Sequence, residues 1–333
     1  MLNWIAGGSL PLGRPGSGIV WTNRGQPVCP TRRAHMSVLD TLSRRKLLVV
    51  TGKGGVGKTA VSAVLGRKLS RSGRRVLVVE VDPRENLYQM FGIQPSGGEI
   101  ISAGPDLWIQ NLKPRQVLDA VVRERLKLEL LTRRVLSSSI YQHFAEGAPG
   151  LTEIAILGHA WRILHGLEPG APPVDQIVLD APATGHGVRL LAAPRLVADV
   201  IHNGPFAEMG GELARLIADP ERCGIVAVTQ AEEMPVQEVL ELRQSLRSQV
   251  SRDPEALVVN GLYPPAPAPG EARDNELVSL WRKRRLLNDR ELARLRESWE
   301  GPRVELPQLP LARGPELIAT LQQCLEKGAD AWT

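Results

Sequence analysis

Eight consecutive residues, Gly52-Lys53-Gly54-Gly55-Val56-Gly57-Lys58-Thr59, have the types and spacing to hold a nucleoside triphosphate. They match the Walker A pattern G-x-x-x-x-G-K-[ST] at every fixed position. The glycines let successive backbone N–H groups curl around phosphate oxygens. A helix starting at the end of the loop adds partial positive charge there. Lys58 is placed to reach the β- and γ-phosphates, and Thr59 to ligate Mg²⁺. The binding run extends to Ala60, the first residue beyond the motif. The bland alternative is a glycine-rich turn that binds nothing. It does not explain why every fixed position is filled. A second lysine, Lys53, directly follows the first glycine, where an ordinary phosphate loop has no use for one.

Two carboxylates have the matching chemistry. Asp180 follows Ile177-Val178-Leu179 and reads as a Walker B aspartate, holding Mg²⁺ through water beside Thr59. The competing reading is an aspartate that merely ends a strand. Asp82 ends another apolar run and can face the γ-phosphate to orient the attacking water. Its competing reading is a turn-forming Asp82-Pro83, and spacing alone leaves the two balanced.

These groups need elements to position them. Lys46 to Val50 reads as a buried strand feeding the loop, and Ala60 to Ser70 as the helix behind it, ended by Gly73. Arg75 to Val81 is apolar on both faces, as suits a parallel sheet covered on both sides. Further strands are expected at Asp106–Leu112, Ile177–Leu179, Gly224–Thr229, Ala256–Val259 and Val304–Leu306. Helices are expected at Arg115–Leu136, Leu151–His165, Val188–Ile201, Phe206–Ala218, Pro235–Ser248, Glu271–Glu300 and Pro315–Lys327. This alternation predicts one doubly wound α/β domain with a mostly parallel sheet, spanning 45–333, with a variable helical part at about 186–222. Ligands of such sheets bind beyond the carboxyl ends of the strands. The loop, Asp82, Asp180, Thr229 and Asn260 all lie at predicted strand ends, so they should converge on one edge.

Composition narrows the class. The 333 residues are 43% hydrophobic but only 4% aromatic, so the core must be aliphatic. A net charge of +5, with basic residues scattered, gives no nucleic-acid stripe. Trp281-Arg282-Lys283-Arg284-Arg285 reads as a solvated helix face with interleaved acids. Cys29, Cys223 and Cys324 form no C-x-x-C pair, which fits a reducing cytoplasm. His143, His159 and His165 share no metal spacing. No transmembrane segment is expected, although peripheral membrane contact is compatible with the sequence. Residues 1–44, rich in Gly, Pro and Arg up to His35, read as a disordered leader.

The phosphate loop resembles the deviant Walker A loop of the MinD/ParA/ArsA-type (SIMIBI class) ATPases. Within that group the chain is most similar to the ArsA/Get3 branch, the arsenite-pump and tail-anchored-protein-targeting ATPases. Asp180-Ala181-Pro182-Ala183-Thr184-Gly185-His186, followed by Arg189-Leu190-Leu191, resembles that branch's switch II. Asp82-Pro83 with Asn86-Leu87 resembles its switch I. Pro149-Gly150 with Glu153, and Thr229 to Glu238 with Glu232, resemble two further patches.

The resemblance implies an ATP- and Mg²⁺-dependent ATPase that works as a nucleotide-sandwich dimer. Its partner subunit would be a second copy or a paralogous ATPase, and its output the handling of a client protein. It implies that Lys53 reaches the partner's nucleotide and that Asp82 activates water. It also implies that Asn260 and the Pro307–Pro315 loop serve the adenine. Departures are visible too. Arg84 and Glu85 stand in switch I where the family usually has small residues or His. The stretch after switch II is short, with Met209 its sole methionine, and the zinc-binding C-x-x-C and clustered metalloid cysteines are missing. An anion- or metalloid-transport ATPase subunit, a regulatory subunit with weak hydrolysis, and a membrane- or DNA-positioning ATPase are the alternatives.

Overall fold

The computed structural model describes residues 20–21, 27–28, 38–82, 84–95, 97–126, 128–139, 141–142, 150–182, 186–200, 205–265, 267 and 275–329. Its centre is an eight-stranded sheet. In chain order the strands are β1 (Leu47–Thr51), β2 (Val76–Glu80), β3 (Ile101–Gly104), β4 (Leu107–Asn111), β5 (Gln176–Asp180), β6 (Cys223–Gln230), β7 (Ala256–Leu262) and β8 (Arg303–Pro307). Their spatial order is β8-β7-β6-β1-β5-β2-β4-β3. Every pairing is parallel except β3 with β4. The predicted doubly wound α/β sheet is therefore what the chain forms. β1 is flanked by β5 and β6, so the phosphate loop leaves the sheet between strands that carry Asp180 and Thr229.

β1, β2 and β5 are buried at all five positions. Strand periodicity then divides their side chains between two cores. Leu48, Val50, Val76 and Val78 join a layer under helices α1 (Val38–Ser43), α2 (Lys58–Arg71), α3 (Asn86–Phe91) and α11 (Pro315–Ala329). Leu47, Val49, Leu77 and Val79 join a layer under α6 (Leu151–Leu164), α7 (His186–Val200) and α8 (Pro205–Ala218). A third cluster packs β6 and β7 against α9 (Glu233–Val250) and α10 (Glu276–Ser298).

Three local expectations change. Helix α1 lies within the stretch expected to be a leader. It is ordered because Leu39 and Leu42 bury against the α2 side of the sheet, while Gln176 Nε2 donates to the Leu42 carbonyl at 2.8 Å and Arg74 Nη2 to that of Ser43 at 2.6 Å. Of residues 1–37, only a two-residue ladder of Val20–Trp21 with Pro27–Val28 falls among the described residues. The single helix expected over 115–136 is two, α4 (Pro114–Leu126) and α5 (Glu129–Leu136). Leu128 is extended between them, and its carbonyl accepts both the N–H and the hydroxyl of Thr132. Strand β3 was not expected, because it is a half-exposed edge strand with no apolar run to mark it.

His159 in α6 shows how this core uses a titratable group. It is buried, and its Nε2 donates to Gln110 Oε1 at 3.0 Å; Gln110 is itself oriented by the Gly98 carbonyl. Burial lowers its pKa below 6.5, against the pull of Glu168. Just below pH 6.5 the unfolded chain therefore holds a proton that the folded chain refuses. Stability is present above that window and is lost as pH falls through it. Urea midpoints at pH 7.5 and 5.5 should differ less in His159→Gln than in the wild type.

Candidate functional site

The carboxyl ends of β1, β2, β5 and β7 surround one cavity of about 780 Å³. Its wall includes Gly54, Gly55, Gly57, Lys58, Thr59, Ala60, Asp82, Asp180 and Asn260. Residues far apart in the chain thus meet where the sheet topology requires.

The loop conformation explains its glycines. Gly52, Gly55 and Gly57 all have positive φ, at 153°, 87° and 92°. A Cβ on Gly52 would sit 2.2 Å from the Val228 carbonyl oxygen. The space above Gly55 is open to at least 4 Å, as a bound phosphate needs. Gly57 is the N-cap of α2 and makes no side-chain cap bond, so the first N–H groups of that helix are left for an anion.

Lys58 is buried at the start of α2, and its Nζ donates back to the Lys53 carbonyl at 3.0 Å. Burial lowers its pKa, while Asp180 and Asp82 oppose that shift. Both carboxylates therefore act on the lysine that would face the phosphates. Thr59 Oγ1 donates to Asp180 Oδ2 at 2.6 Å. Asp180 is buried, and burial pushes its pKa up to about 7 despite Thr59 and Lys58. Its second oxygen, Oδ1, makes no hydrogen bond of ordinary length among the described residues, although the Ser62 hydroxyl is near enough to favour the ionised form. A hydroxyl beside a buried carboxylate with a spare oxygen is a hard-oxygen donor set, which fits Mg²⁺.

Asp82 is fixed at both its side chain and its backbone. Its Oδ1 accepts the Arg84 N–H at 2.7 Å, and its carbonyl accepts Asn111 Nδ2 at 2.7 Å. Glu85 takes a left-handed conformation, φ 51°, and its carboxylate pairs with Lys113 at 2.6 Å. Of the two unusual switch residues, Glu85 thus fastens the loop through its side chain, and Arg84 through its backbone N–H alone. Of switch II, residues 183–185 lie outside the described residues. Gly187 beyond them packs so tightly that a Cβ would fall 2.0 Å from Thr51 Oγ1.

Other expected residues fall differently. Val56 is buried beneath the loop, and its carbonyl accepts Asn260 Nδ2 at 3.0 Å. Asn260 therefore joins the end of β7 to the phosphate loop as well as lining the cavity. The Pro307–Pro315 loop contributes Gln308, Leu309, Leu311 and Arg313 to the wall, and Arg313 reaches Asn86 Oδ1 at 3.3 Å. Lys53 is not on the wall of this cavity. Its half-exposed ammonium forms an ion pair with Glu238 on α9. Sequence reasoning missed Glu80 and Asn111, which brace switch I from below. Glu80 closes a valine-rich run and Asn111 an ordinary strand, so neither carries a motif signal.

With this geometry in place, the relatives become informative. The profile of the anion-transporting ATPase family matches residues 45–209, from just before β1 into α8. ATPase BagA of Mycobacterium tuberculosis is 30% identical over 236 residues, 67% of each chain. The chain belongs to the ArsA family of ATPases. An arsenical pump-driving ATPase of Escherichia coli is 30% identical over 257 residues, 71% of this chain and 42% of that protein. ATPase GET3C of Arabidopsis thaliana is 26% identical over 193 residues, 54% of this chain and 49% of that one. The expected resemblance to the ArsA/Get3 branch is therefore a family membership, and the reaction is ATP hydrolysis. No helix among the described residues is long and apolar enough to cross a membrane.

Proposed function

We propose that this ArsA-family ATPase is a Mg²⁺-dependent, nucleotide-gated dimer that acts on a partner protein in the cytoplasm. The supporting observation is the position of Lys53. It belongs to the phosphate loop, yet its ammonium lies off its own cavity and is held by Glu238. A loop lysine directed away from its own phosphates is suited to a nucleotide facing it from another subunit, a second copy or a paralogous ATPase.

The loop amides and Lys58 hold the β- and γ-phosphates, and Thr59 with Asp180 holds Mg²⁺, which offsets phosphate charge when bound. Asp82 orients and deprotonates the attacking water. Lys53, once released from Glu238, stabilises charge across the dimer. Most of the catalysis is positioning and electrostatics. Switch I and switch II, joined to the phosphates through Asp82 and Asp180, report whether the γ-phosphate is present.

Lys53→Ala tests this reading. We expect ATP affinity within several-fold of the wild type and turnover lower by about 10²-fold or more. ATP-induced association in sedimentation velocity should be abolished. A Lys53→Ala monomer that hydrolyses ATP at the wild-type rate would sink the shared-site reading. A second reading, an anion-transport ATPase subunit, is supported by the family description and by the name of the E. coli relative. Cys223 and Cys324 do not assist it, since they are buried in different cores. Stimulation of turnover by arsenite or antimonite would favour that reading.

A further inference from the structure

Glu80 is the last residue of β2 and is fully buried, with no basic side chain bonded to it among the described residues. An isolated buried carboxylate is costly unless hydrogen bonds compensate it. Here they reach one oxygen only, Oε2, while Oε1 has no hydrogen-bond partner among the described residues. Glu80 Oε2 accepts the Leu87 N–H at 3.0 Å and Asn111 Nδ2 at 3.1 Å. Leu87 lies in the first turn of α3, whose own N-cap, Glu85, makes no side-chain cap bond. The cap of this helix is thus supplied from the neighbouring strand by Glu80. The same Asn111 side-chain amide also donates to the Asp82 carbonyl at 2.7 Å, and the Asn111 backbone N–H donates to the Tyr88 hydroxyl at 3.3 Å.

Between them, Glu80 and Asn111 fasten both ends of switch I, at the Asp82 carbonyl and at the Leu87 N–H. Neither Glu80 nor Asn111 lines the cavity. We propose that Glu80 is a positioning residue, which with Asn111 staples switch I from beneath and so fixes the Asp82 carboxylate for water attack. The inference rests on the role given to Asp82 above and adds the device that holds it.

The test compares Glu80→Ala, Glu80→Gln and Asn111→Ser in the full chain. Asn111→Ser leaves Glu80 in place, so it remains informative if Glu80→Ala folds poorly. Glu80→Ala and Asn111→Ser should lower turnover at saturating ATP by about 10²-fold through misplacement of the carboxylate. Their ATP dissociation constants should stay within about threefold of the wild type. Glu80→Gln keeps an acceptor oxygen and should recover turnover to within about tenfold of the wild type. In the nucleotide-free protein, hydrogen exchange at the Leu87 amide should speed up by about tenfold in Glu80→Ala and not in Glu80→Gln.

Wild-type turnover in both disruptive variants would overturn the proposal. So would a loss of ATP affinity in step with turnover, or a Glu80→Gln variant as impaired as Glu80→Ala. The exchange measurement needs no nucleotide. Unchanged Leu87 exchange therefore refutes the staple even if the assigned role of Asp82 is wrong, and normal turnover in Asp82→Asn refutes that role alone.

Discussion

Asp82→Asn is expected to bind ATP within a few-fold of the wild type and to turn it over about 10²- to 10⁴-fold more slowly. The substitution keeps the shape of the site. An asparagine Oδ1 can still accept the Arg84 N–H, and the backbone bond from Asn111 to residue 82 is untouched. What it removes is a base. An amide cannot take a proton from water, so binding and closure survive while hydrolysis stalls. Equilibrium binding of a fluorescent ATP analogue and single-turnover phosphate release separate the two effects. Wild-type phosphate release in this variant would exclude Asp82 as the base. The variant should also hold the ATP-bound state long enough to co-purify any protein partner.

Asp180→Asn should have the second large effect, and it should act in opposite directions on stability and activity. Asp180 is buried with one oxygen on Thr59 Oγ1 and the other making no hydrogen bond of ordinary length among the described residues. Burial raises its pKa to about 7, so the ionised form is disfavoured in the nucleotide-free protein. Asparagine removes that buried charge while its carbonyl can still accept the Thr59 hydroxyl. The melting temperature without nucleotide at pH 8 should therefore match or exceed the wild type. The Mg²⁺-dependent gain in ATP affinity should fall by about 10- to 100-fold, and turnover with it. A differential scanning series with and without Mg²⁺ and ATP reads both. If Mg²⁺ strengthens ATP binding equally in the two proteins, Asp180 is not a metal-side residue.

Much of this architecture was legible because it is local. Gly52 to Thr59 states its strand, turn and helix in adjacent residues, and Ile177 to Asp180 states a buried strand with a polar end. The covered parallel sheet followed from near-continuous apolar runs, which need a layer on each side. Edges and interruptions were harder. β3 is half-exposed and lacks a pattern, and the break at Leu128, where the backbone turns extended between two helices, is signalled by no proline, glycine or change of period. Helix α1 is ordered by contacts with Gln176 and Arg74, residues far along the chain.

The candidate site divides in the same way. The sequence by itself determined the phosphate loop, the two aspartates and the α/β sheet that carries them, because motif, strand and helix signals are short-range. Tertiary structure decided what those residues touch. It put Asp180 on Thr59, tied Asn260 to Val56, turned Lys53 to Glu238 and placed Glu80 and Asn111 beneath switch I. Those pairings join residues from 31 to 204 positions apart, or cap a helix across a loop. They arise only when parallel strands bring their carboxyl ends to one edge. Their energies depend on burial, which a linear sequence does not specify.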